Sequence, residues 1–176
     1  MACIHFVCAF TWQGDRSFFL WHGDADVDTS ACSDSVEIDE SGHILTFASV
    51  TTCRHYTEDH SYDLVSDPVL HYDFDALVRW CGAPSASTLD LSATLDAWNL
   101  FGDCPAETDV TNLFRTWDGW SGALYEKLFF AQNLPSVTPP GEHYSPTWSI
   151  DELQNLARVL RLGLAEFTTR LLPPTA

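Results

Sequence analysis

Three carboxylates at alternate positions, in Asp24-Ala25-Asp26-Val27-Asp28-Thr29-Ser30, are the arrangement most suggestive of chemistry. Oxygen ligands spaced this way can converge on Ca2+, as in an EF-hand loop. The rest of that loop is missing. Thr29 stands where the sharp turn needs Gly, and Ser35 stands where a bidentate Glu is needed. No helix pattern leads into the segment either, so it reads as a solvated acidic loop or part of a partner-facing surface. A second group is built on His55 and His60, which bracket Tyr56-Thr57-Glu58-Asp59, with Cys53 and Arg54 upstream and His71 further on. Imidazole, thiol and carboxylate are zinc-ligand types, yet this spacing matches neither a helical i, i+4 pair nor a same-face strand pair. It reads as a polar strand end and turn. Neither a metal nor a cofactor is assigned.

Nucleophilic and phosphate chemistry leave no trace. There is no G-x-S-x-G elbow, no phosphate-cradling glycine loop and no dinucleotide fingerprint. Cys with His carries little weight in a chain holding six of one and seven of the other. Trp117-Asp118-Gly119-Trp120 has the residue types of a sugar-stacking platform, but such a pair more often packs at a turn between helices. The chain is therefore expected not to be an enzyme.

Charge is the outlying property. The 176 residues hold 25 Asp and Glu against 8 Lys and Arg, a formal net charge of −17. Nucleic-acid backbones and anionic membranes need clustered Lys or Arg, so direct binding to either is disfavoured. The excess is uneven: residues 1–75 carry 14 acidic and 2 basic groups. Asp24, Asp26, Asp28, Asp34, Glu37, Asp39 and Glu40 place seven acids in seventeen residues with no base among them. Such a patch speeds association with a cationic protein and fixes its register. Trp12 and Trp21 are the aromatic anchors expected beside it.

The elements that must position these groups divide along the chain. An apolar fraction of 45% and this length fit one domain with its own core, spanning 1–176. Residues 1–72 read as strands: 3–10, 17–21, 36–38 and 44–50 around an Asp39-Glu40-Ser41-Gly42 turn, and 69–72. Residues 73–176 read as about five helices: 74–81, 89–101, 110–115, 121–132 and a long last one from 150. Ser149 and Glu152 form a capping box for that last helix. Ile150, Leu153, Ala157, Leu160, Leu164, Phe167 and Leu171 make its apolar stripe, and Pro173-Pro174 end it. Leu134, Val137, Tyr144 and Trp148 suggest that the proline-rich connection before it packs over a core. Strands followed by helices predict an α+β fold, a mainly antiparallel sheet packed against the helices. The six cysteines, irregularly spaced, read as free thiols. With no signal-peptide pattern and no membrane-length apolar run, a cytoplasmic location is expected.

The chain resembles, in kind, the small acidic immunity proteins encoded beside bacterial polymorphic toxins. The segment Tyr125-Glu126-Lys127-Leu128-Phe129-Phe130-Ala131-Gln132-Asn133-Leu134-Pro135, with Thr138-Pro139-Pro140-Gly141-Glu142 and Trp148-Ser149, is similar to proteins from such neighbourhoods. The resemblance implies a cytoplasmic binding module that neutralises a cognate toxin by covering its active site or a nearby surface. It implies no catalytic residues. A cationic nuclease is the physically natural target. Two alternatives stay open: a nucleic-acid mimic that inhibits a DNA-binding enzyme, and a small hydrolase using His55, His60 or His71 with Asp, Glu or Cys.

Overall fold

The computed structural model describes residues 3–24, 32–65, 68–105, 108–116 and 119–171. Asp26 and Asp28, the Trp117-Asp118 pair and Pro173-Pro174 lie outside them. The fold is α+β, and the chain forms two compact units. The first comprises Met1–Asp75, Asp103–Ala106 and Phe167–Ala176. The second comprises Ala76–Gly102 and Glu107–Glu166.

The first unit is built on a hairpin. Strands β1 (Ile4–Trp12) and β2 (Asp15–Gly23) pair antiparallel along their whole length. Gln13 and Gly14 turn the chain with φ of 55° and 85°, the positive values that a tight two-residue turn matched to strand twist demands. Both turn amides donate to Asp75, Gln13 N to Oδ1 and Gly14 N to Oδ2, each at 2.8 Å. A short β3 (Ser35–Val36) joins the far side of β2. On the other side, β4 (Asp63–Leu64) and β5 (Leu70–Asp73) both run parallel to β1. Antiparallel pairing thus predominates in a mixed sheet.

The parallel strands follow from an element that the residue pattern hides. Val50-Thr51-Thr52 looks like strand because β-branched residues favour it, and 44–50 is expected as one. Instead, Ile44 and Phe47 make only single bridges, and helix α1 (Val50–Asp59) begins. Ser49 decides the matter: its Oγ accepts the Thr52 amide at 3.1 Å, an N-cap contribution of about 1 kcal/mol. The expected turn before it does form. Gly42 has φ +83°, the Asp39 amide donates to His43 O at 2.8 Å, and Ile38 bridges Ile44.

Each face of the β1–β2 hairpin is covered. Val7 and Leu20 pack with Phe47 and Cys53, with Tyr56 and Leu64 at the margin. On the opposite face, the rings of Phe10, Phe19, Phe74 and Phe167 meet at centroid distances of 5.3–6.1 Å.

The cysteines need a correction. Cys3 and Cys32 form a disulfide with Cα atoms 5.7 Å apart, while Cys8, Cys53, Cys81 and Cys104 are buried thiols outside any disulfide. Sequence spacing hides the pair because 29 residues separate them. The hairpin brings both to one end of the sheet.

The second unit is helical: the body of α2 (Phe74–Gly82), then α3 (Leu91–Gly102), α4 (Asp109–Arg115), α5 (Gly119–Phe130) and most of α6 (Ile150–Thr169). Trp98 is fully enclosed, edge-on to Phe114 at 5.1 Å, with its indole N–H donated to Phe114 O. The capping box of α6 forms, with Glu152 N donating to Ser149 Oγ and Ser149 N to Glu152 Oε2. Its stripe holds from Leu153 to Phe167, but Ile150 is 74% exposed, since a first helical residue points beyond the packed turns. Leu134, Val137 and Tyr144 are exposed as well, so the connection covers less than expected. Asn133 ties it down instead, its side chain exchanging two hydrogen bonds with the Tyr144 backbone. No helix among the described residues is long and apolar enough to cross a membrane.

Candidate functional site

A two-residue turn pairs each residue of β1 with the one equidistant along β2, and this places His5 directly opposite His22. Directly opposed residues point to the same face of a sheet. Ser35 pairs with His22, and the Glu37 amide donates to Leu20 O at 2.9 Å, which carries Glu37 onto that face as well. Three neighbouring chain segments therefore each contribute one ionisable side chain to a single row. Tyr62, arriving just before β4, lies flat on the His5 ring with centroids 4.1 Å apart.

Glu37 is the hub. Its Oε2 accepts from His22 Nδ1 at 3.1 Å and faces His5 Nε2 at 3.8 Å. Its Oε1 accepts from the Tyr62 hydroxyl at 3.0 Å. The His5 imidazole directed at it holds the Glu37 carboxyl below the usual carboxylate range, against the opposing effect of burial; Tyr62 and the His22 charge add to the lowering. Tyr62 shows the counterpart: burial and the Glu37 charge push its phenol up to about 12. His5 is 7% exposed at its side chain, and its Nδ1 is buried without a hydrogen-bond partner. The cluster opens into a cavity of about 330 Å³ lined by Cys3, His5, His22, Glu37, Ser61, Tyr62 and Asp63. His5, His22 and Glu37 each offer a ligand atom, all within 4.8 Å of one another, so among the described residues they could hold a metal ion.

The residues expected from the sequence scatter. His55 is exposed on α1. His60 closes that helix, stacked on Tyr56 with Nδ1 at 2.8 Å from Tyr56 O. His71 bonds Thr11 Oγ1 at 2.8 Å, and Cys53 is buried on the inner face of α1. The structure does not bring His55, His60 and His71 together as one site.

The acidic stretch also divides. Asp34 and Glu40 are exposed. Asp39 holds its own turn, Oδ1 accepting from Ser41 N and His43 N, which lowers its carboxyl. Asp24 accepts the Cys32 amide at 3.3 Å. Glu37 belongs to the histidine cluster. Trp12 and Trp21 are half-buried. Trp21 donates its indole N–H to Asp103 Oδ2 at 2.9 Å. Gly23 packs so tightly against Trp21 and Asp34 that an added Cβ would meet Asp34 Oδ1 at 2.5 Å. Trp21 is thus bonded to one carboxylate, and Gly23, against the far edge of its ring, adjoins a second.

Sequence reasoning missed His5, His22, Glu37 and Tyr62 as a group. The signal that could have found them is the Gln13-Gly14 turn between two apolar runs, which fixes the register and with it the histidine pair. No protein-family model, curated protein or solved structure matches this chain.

Proposed function

We propose that the chain is a binding module, an immunity-type inhibitor that captures a cationic protein through the acidic end of its first unit. The observation that carries this reading is the run of acids at one end of the β1–β2 hairpin: Glu37 and Asp63 line the cavity on the His5–His22 side, while Asp103 accepts the Trp21 indole N–H and Asp34 lies against Gly23 beside Trp21. Among the described residues, no Lys or Arg lines the cavity there. Arg16 lies at the opposite end of β2, in register with Thr11. A rim of one sign steers a partner of the other and sets its orientation. A rigid aromatic among the charges supplies the desolvated anchor that a tight interface needs. The partner favoured by this chemistry is a basic toxin, such as a nuclease whose phosphate-binding surface the carboxylates would occupy. The Cys3–Cys32 bond favours an oxidising compartment for this encounter over the cytoplasm, where such pairs are kept as thiols.

The test is co-expression with the toxin candidate encoded beside the gene, together with binding measured at low and high salt. The wild type should protect cells and bind with strong salt dependence. Asp34→Lys with Asp63→Lys should lose protection and slow association by at least about tenfold, the scale of steering effects. Unchanged protection and binding by that folded double variant would end the reading.

A further inference from the structure

We propose that His5, His22 and Glu37 form a binding site for one divalent transition-metal ion, with zinc the best match. The inference stands apart from the partner-binding reading and needs none of it. Two imidazoles and a carboxylate are a donor set suited to zinc-class ions rather than to Ca2+ or Mg2+, which take oxygen. The spacing fits. Ligand bonds of about 2.0–2.1 Å in tetrahedral geometry place donor atoms roughly 3.3 Å apart. His22 Nδ1 and His5 Nε2 stand 3.1 and 3.8 Å from Glu37 Oε2, bracketing that value.

Hydrogen bonding alone accounts for only part of the cluster. It satisfies His22 and Tyr62, but leaves His5 more than nine-tenths buried with Nδ1 unpartnered and Nε2 beyond direct bonding distance of Glu37. Burying a polar group without a partner is costly, and a ligand on Nε2 relieves that cost at Nε2 alone, Nδ1 keeping the ring proton. An ion between the three side chains gives the Nε2 lone pair its partner and draws the two histidines onto one centre. The surroundings suit an ion as well. Tyr62 occupies Oε1, which fixes the carboxylate and leaves Oε2 for single-oxygen ligation, the kind of outer contact that orients a metal ligand. The adjoining cavity leaves the fourth position to water or to a ligand.

The test uses the full, tag-free chain with its disulfide intact and no reductant. Titration with Co2+ should give one equivalent with the intense visible bands of a four-coordinate ion, displaced by Zn2+ and not by excess Ca2+. His22→Ala and Glu37→Gln, each confirmed as folded by circular dichroism, should weaken Zn2+ binding by at least a hundredfold in competition with a chromophoric chelator. Tyr62→Phe should cost about tenfold, the lower range for an outer contact. His5→Ala empties a buried position, so the two half-buried ligands decide the matter. The proposal is overturned if millimolar Co2+ gives no such spectrum, if Ca2+ displaces the ion, or if both folded variants bind Zn2+ like the wild type.

Discussion

Burial sets the chemistry of the free thiols one by one. Cys8 and Cys53 are pushed up to about 12 and Cys81 to about 11, in each case first by desolvation, so at pH 8 they stay protonated and unreactive. Ellman's reagent should find no fast thiol in the native protein, four after unfolding without reductant, and six after reduction. Six without reductant would remove the Cys3–Cys32 bond. Gly163 is a second residue-scale constraint. A Cβ there would meet Phe114 Cζ at 2.5 Å and press into the Phe101 ring, both rings being buried. Gly163→Ala gains about 1 kcal/mol of helix propensity and still should lower stability, because overpacking costs about 1–3 kcal/mol. Chemical denaturation measures the sign. Residue types alone showed that the chain holds the donors for a metal or a nucleophile. They did not show which ones meet, because that depends on strand register.

Elements were legible wherever a local rule was strong. The α6 capping box, the β1 and β2 runs and the Asp39–Gly42 turn each follow from a few adjacent residues. Helix α1 was not legible, because one N-cap hydroxyl outweighed a β-branched run. The disulfide and the histidine row were not, because both are contacts across the sheet. Two predictions belong to this scale. Asp75 clamps the hairpin turn through two backbone amides, so Asp75→Ala should destabilise the protein by about 1.5–3 kcal/mol, the range for hydrogen bonds to a charged group. Thermal melts of that variant and of Asp75→Asn check it, the amide retaining one acceptor. At the start of α6, the Lys127 ammonium and then the Ser149 amide hold the Glu152 carboxyl below its ordinary value of 4.5. Its contribution is therefore present above that value and lost as the pH falls through the lowered folded value. Glu152→Gln should flatten the acid limb of the stability–pH curve and leave the limb above neutral pH unchanged.

At the scale of the whole molecule, charge and cross-linking govern behaviour. A net charge of −17 makes the folded chain repel itself, and added salt screens that repulsion over about 10 Å at 0.1 M. Raising NaCl from about 10 to 300 mM should therefore raise the Tm, the reverse of what a fold held by surface ion pairs would show. Sequence alone predicted this excess of charge, but not that Asp24, Glu37 and Asp39 would be engaged inside the protein. The disulfide has a mechanical consequence. Force applied at the N-terminus enters at Cys3 and crosses directly to Cys32, bypassing β1, the Gln13-Gly14 turn and β2. Stretching the oxidised chain end to end should release a contour shorter by 29 residues, about 100 Å at the extended rise per residue, than stretching the reduced one. The hairpin that carries both histidines would then bear no load, and its strands would part only through loss of the side chains packed on its two faces, not through the force itself.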